Sequence, residues 1–168
     1  SDSIFRSVDR RIPGPGSDIA LRIYTPRGPG PAEKLPVLIW FHGGGFVLGS
    51  LETHDSACRM LANQADCIVV SVDYRLAPDA KFPTPPEDCY AALCWVVDRS
   101  GELGIDPLRI SVGGGSSGGN LAAVVALMAR ARGGPAPVLR VRSIPVPGLT
   151  SAQRSVSQSC GVCIRPPP

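Results

Sequence analysis

Apolar positions along the chain fall into two periods. Asp18–Thr25 alternates as a half-buried strand does. Leu35–Phe41 (Leu-Pro-Val-Leu-Ile-Trp-Phe) and Cys67–Asp73 (Cys-Ile-Val-Val-Ser-Val-Asp) are continuous apolar runs, as expected of strands buried on both faces. Leu108–Val112 is a third short β-branched run. Between these lie stretches of helical period. Thr53–Ala65 carries Ala57, Met60, Leu61 and Gln64 at helical spacing, with Thr53 as the expected cap. A second helix runs from Pro86 or Glu87 to about Arg99, with Tyr90, Leu93, Cys94 and Val97 on one face. A third runs from Ser117 to about Ala131. Ser1–Gly16 reads as an arm or edge strand, Leu76–Pro86 as a Pro-rich loop, and Gly101–Pro107 as a turn. Strands alternating with helices predict an α/β fold with right-handed crossovers and a mostly parallel sheet.

The pattern decays after Gly133. Val138–Val141 offers one more strand, and Pro145–Gly148 breaks it. Ser151–Pro168 has no aromatic, no acid and no periodicity, so residues 135–168 are expected to be an irregular or disordered tail. Charge changes at a similar place. All 14 acidic residues lie at or before Asp106, and beyond it the charged side chains are arginines.

Composition narrows the function classes. The chain has 168 residues, 43% hydrophobic, enough for one domain with a core. A net charge of +3 with no basic block interleaved with aromatics argues against nucleic acid. No apolar run is long enough to span a bilayer, and Ser1-Asp2-Ser3 is not a signal-peptide start, so a cytoplasmic location is expected. The six cysteines form no compact framework. Cys67, Cys89 and Cys94 sit in apolar segments as buried thiols. Cys160-x-x-Cys163 has metal spacing without a second pair, so neither metal nor cofactor is expected.

Candidate chemistry gathers at two glycine-rich turns. Gly113-Gly-Gly-Ser-Ser-Gly-Gly-Asn120 joins the third strand run to the third helix. Within it, Gly114-x-Ser116-x-Gly118 has the spacing of a nucleophile elbow, a tight strand-to-helix turn that thrusts one serine out of the sheet. Gly115-x-Ser117-x-Gly119 fits one residue later. Gly113-x-Gly115-x-x-Gly118 fits a dinucleotide fingerprint, but that motif needs an acid about twenty residues on, and Pro135–Val146 has none. The other turn, His42-Gly43-Gly44-Gly45-Phe46, ends a buried strand. In a parallel sheet both turns fall at the carboxyl edge, where Gly43, Gly44 and the N–H of Ser117 could hold an oxyanion.

His42-Gly-Gly-Gly-Phe46, Asp73-Tyr-Arg-Leu-Ala-Pro78, Phe82-Pro83, Glu87–Trp95, Glu102–Pro107 and the run from Arg109 to Ala123 resemble the hormone-sensitive-lipase-like branch of the α/β-hydrolases. The resemblance covers about Val8–Gly134 and implies a partial α/β-hydrolase domain over residues 1–134. By alignment of Gly118-Gly119-Asn120 it makes Ser116 the nucleophile, rather than Ser117. It gives His42, Gly45, Gly114 and Gly118 supporting roles and implies a small acyl-ester substrate. His54 is expected to make a structural hydrogen bond, and Tyr74 and Arg75 to anchor the Pro-rich loop.

The chain departs from the family in three ways. Gly115 stands where members usually carry Asp, and Ser117 where they carry Ala. The family's catalytic acid and histidine lie well beyond the elbow helix, whereas this chain has no acid after Asp106 and no histidine after His54. Much of the usual N-terminal cap is also absent. The sequence resembles the first half of a catalytic domain, as a truncated or frame-shifted reading would give, and is expected to be a poor esterase alone. The alternative is an inactive fragment or a non-catalytic binding protein. Oligomeric state and acyl length are not legible.

Overall fold

The computed structural model describes residues 3–28 and 33–139. Six strands form one sheet: β1 (Arg6–Ile12), β2 (Ile19–Thr25), β3 (Leu35–Phe41), β4 (Ile68–Asp73), β5 (Ile105–Gly114) and β6 (Val138–Leu139), in the order β1-β2-β4-β3-β5-β6. β4, β3, β5 and β6 are parallel neighbours, while β2 runs antiparallel to both β1 and β4. The sheet is therefore parallel where helices connect its strands, with an antiparallel hairpin at one edge. A two-stranded hairpin needs only a short turn, whereas each parallel step needs a crossover.

Helices α1 (Asp55–Ala65), α2 (Thr84–Asp98) and α4 (Ser117–Ala131) cover the sheet, and the one-turn helix α3 (Ser100–Leu103) precedes β5. One core joins alternate residues of the strands (Ile39, Val70, Val112) to α2 and α4 through Leu93, Val96, Leu121 and Val125. On the other side, Trp40 and Val69 meet Cys58, Leu61 and Ala62 of α1. Leu93 and Val125 are fully buried, and each such side chain contributes roughly 1.5–3 kcal/mol. Arg22 of β2 fastens the hairpin to the start of α1, with Asp9 at 2.7 Å, Glu52 at 2.6 Å and Asp55 at 3.2 Å.

Several expectations shift. α1 begins at Asp55, because the Thr53 hydroxyl does not cap it. That hydroxyl donates to the Ser50 carbonyl at 3.0 Å and accepts from the Ser50 N–H at 2.9 Å, closing a turn instead. α2 starts earlier, at Thr84, and presses Cys89, Ala92, Leu93 and Val96 inward. Of the expected face, Leu93 is buried, while Tyr90, Cys94 and Val97 are half-buried, with Tyr90 and Val97 packed against the core's rim. Asp88 lies on the inward face as well, paired with Arg75. The Gly101–Pro107 turn is instead α3 followed by the first residues of β5. Val138 and Leu139 form β6. Arg140, Val141 and the expected tail beyond them lie outside the described residues, as does Cys160-x-x-Cys163.

Candidate active site

β5 ends at Gly114 and α4 begins at Ser117, so the chain must reverse within two residues. Ser116 makes the turn at φ 51°, ψ −117°. A side chain in such a sparsely populated region costs on the order of 1–3 kcal/mol and persists only where its surroundings hold it. Three hydrogen bonds hold it here. Gly118 N–H reaches the Gly115 carbonyl at 2.8 Å, and the N–H groups of Gly119 and Asn120 reach the Ser116 carbonyl at 3.0 and 3.2 Å. Gly118 is needed for space. A Cβ there would overlap the Phe41 carbonyl and stand 2.7 Å from that of His42. The turn leaves Ser116 exposed and Ser117 buried.

β3 lies beside β5 with Phe41 opposite Gly114, so the glycine loop leaves the sheet next to the elbow. A Cβ at Gly43 would come within 3.6 Å of the Ser116 Cβ and 2.9 Å of the Gly115 carbonyl. Gly44, at φ 128°, turns the chain, and its carbonyl accepts the N–H groups of Val47 and Leu48 at 3.2 and 2.9 Å. Gly45 donates its N–H to the Ser117 hydroxyl at 3.0 Å. Gly43, Gly44, Gly45, Ser116 and Ser117 thus come together from two strands at one edge of the sheet. Ser117 opens α4, a 15-residue helix, so its N–H belongs to the positive end of the helix dipole.

The histidines are placed differently. His42 is fully buried, and its Nδ1 lies 2.9 Å from the Gly43 carbonyl. A carbonyl only accepts, so Nδ1 carries the proton and Nε2 is the bare nitrogen. Nε2 is buried without a partner among the described residues. Burial lowers the His42 pKa, so the ring is held neutral. Its face stacks on Tyr74 with centroids 4.3 Å apart, and the Tyr74 hydroxyl donates to the His42 carbonyl at 2.7 Å. His54 is half-buried, with Nδ1 3.0 Å from the Thr53 hydroxyl. Burial, then the nearby His42 ring, lowers its pKa. Among the described residues neither imidazole hydrogen-bonds the Ser116 hydroxyl. Asp73, at the end of β4, has its carboxyl pKa raised by burial.

A family model for the alpha/beta hydrolase fold matches residues 38–162. The chain belongs to the α/β-hydrolase family. The motifs around Gly43 and Ser116 place it in the hormone-sensitive-lipase-like branch. This hydrolase chain is 49% identical over 140 residues to Esterase LipI of Mycobacterium tuberculosis, an alignment covering 83% of this chain and 44% of that protein. It is 43% identical over 129 residues to an arylesterase of Saccharolobus solfataricus, covering 77% and 41%. Among solved structures, a hyperthermophilic esterase from Pyrobaculum calidifontis superposes with a TM-score of 0.77 at 54% identity, over 80% of this chain and 43% of that one. The chain therefore spans under half the length of these relatives. The family match runs past Gly134, beyond the boundary that composition suggests.

Two participants in this candidate site were not singled out from the sequence for what they do here. Tyr74 was expected to anchor the Pro-rich loop, yet its ring and hydroxyl both hold His42. The Ser117 side chain is, by sequence, the alternative elbow serine or a departure from the family's Ala, yet it reaches across to Gly45. Asp73-Tyr-Arg marked the first. The departure from Ala at position 117 was the only signal for the second. Among the described residues no cluster of three or more His, Cys, Asp or Glu side chains is arranged to hold a metal. No described helix is long and apolar enough to cross a membrane.

Proposed function

We propose that this chain carries the nucleophile and oxyanion parts of a carboxylic ester hydrolase. Ser116 would attack the acyl carbon, while the N–H groups of Gly43, Gly44 and Ser117 receive the charge that develops on the carbonyl oxygen. The observation that carries this reading is the backbone of Ser116: an exposed serine at φ 51°, beside Gly43 and ahead of a helix N-terminus. Strain of that kind is retained where it presents a side chain for reaction. A preorganised oxyanion donor is typically worth 10²–10³ in turnover. The substrate class proposed is a small acyl ester, and no cofactor enters the step.

A second reading is a hydrolase-like chain without catalysis of its own, and the histidines favour it. A serine hydroxyl needs a base within hydrogen-bond reach. His42 spends Nδ1 on a carbonyl and buries Nε2, while His54 is engaged by Thr53. Among the described residues neither imidazole offers Ser116 that base. Hydrolysis of a short-chain p-nitrophenyl ester by the chain, against its Ser116→Ala variant, separates the readings. Ser116-dependent release supports the first, and identical rates in the two proteins support the second.

A further inference from the structure

The Ser117 side chain has a use that its backbone N–H does not explain. Its hydroxyl oxygen accepts the Gly45 N–H at 3.0 Å, a contact between residues 72 apart in the chain. Ser117 sits on the first turn of α4, directly after Ser116, and Gly45 ends the His42–Gly45 loop. The bond therefore ties the loop to the elbow across the edge of the sheet. Its surroundings are built to keep it. Ser117 is buried, and Tyr74 holds the root of the same loop through the His42 carbonyl at 2.7 Å. The two ends of the glycine loop are thus held by two hydroxyls, that of Tyr74 at His42 and that of Ser117 at Gly45.

We propose that Ser117 is a positioning residue, whose hydroxyl sets where the Gly43 and Gly44 amides stand relative to Ser116. The inference rests on the hydrolase reading of this site, and its test uses no substrate, so the two can fail separately. Amide NMR of the full chain reads Gly43, Gly44 and Gly45 directly. In Ser117→Ala all three resonances should move and their exchange should accelerate about tenfold, the scale of one lost hydrogen bond. Amides of β1 and β2, such as Arg10 and Ile23, should stay in place. Ser117→Cys keeps the shape with a weaker acceptor and should move the three signals part-way. If the alanine variant does not fold, the cysteine variant against the parent carries the test. Unchanged loop amides, or a change confined to Gly45, would overturn the proposal. Should the loop respond while ester hydrolysis is indifferent to Ser116→Ala, the tether stands and the hydrolase reading falls.

Discussion

Asp88 accepts three hydrogen bonds from Arg75: the backbone N–H at 3.1 Å, Nε at 2.9 Å and a terminal guanidinium nitrogen at 2.7 Å. The carboxylate is fully buried, while the guanidinium remains one-third exposed. The pair pins the segment after β4, which carries Tyr74, to the first turns of α2.

Removing the buried partner leaves a backbone N–H and a guanidinium unpaired. Asp88→Ala should destabilise the fold by about 2–3 kcal/mol, below the full range for a broken buried pair because Arg75 still reaches water. Urea unfolding followed by tryptophan fluorescence checks this. A midpoint equal to the parent's would mean the pair is dispensable.

The Ser116 prediction concerns rate rather than stability. With no base at the serine, turnover of a p-nitrophenyl ester by the 168-residue chain should lie on the order of a millionfold below that of an intact triad, roughly 8 kcal/mol of barrier. Any residual burst should disappear in Ser116→Ala. Turnover of several per second would reveal a base, and His54→Ala and His42→Ala would then identify it.

Acidification should weaken the fold as the histidines of the unfolded chain take up protons. His42 and His54 both have folded pKa values below the unfolded value of about 6.5. The unfolded chain then takes up protons first, so their contribution is complete above about pH 6.5 and is lost as pH falls through the folded values. The urea midpoint should drop between pH 7 and pH 5. A flat profile there would show that burial does not hold these rings neutral.

Two glycine substitutions should part company. Gly118→Ala drives a Cβ onto the Phe41 carbonyl and should cost about 1–3 kcal/mol or more, the range for overpacking. Gly101→Ala in α3 meets nothing within 4 Å and needs no positive φ. It should be neutral or stabilising by up to about 1 kcal/mol. Thermal unfolding of the two variants side by side is the check.

Much of this arrangement was legible beforehand where one force dominated. Leu35–Phe41 is a strand at the expected bounds because burial on both faces leaves no other reading. Ser117–Ala131 is a helix at the expected bounds because glycines precede an alanine-rich run. Long-range polar partners were not legible. Nothing local says that Asp88 turns inward to Arg75, so the expected face of α2 includes Leu93 but omits Asp88, Cys89, Ala92 and Val96. Thr53 had the chemistry of a cap and spent it on Ser50. The edge placement of Ser116 and Gly43 followed from strand order, whereas the Ser117–Gly45 bond depends on two loops meeting, which periodicity does not encode.

The register of Phe41 against Gly114 has a consequence for how the molecule folds. β3 and β5 are adjacent in space but separated along the chain by α1, β4, α2 and α3, so their pairing closes a long loop and comes at a large entropic cost. The elbow and the glycine loop exist as a site only after that closure. The backbone of Ser116 would therefore report on the pairing of β3 with β5, since chains with only the β1–β2 hairpin formed would carry the same serine without the strain or the neighbours that present it.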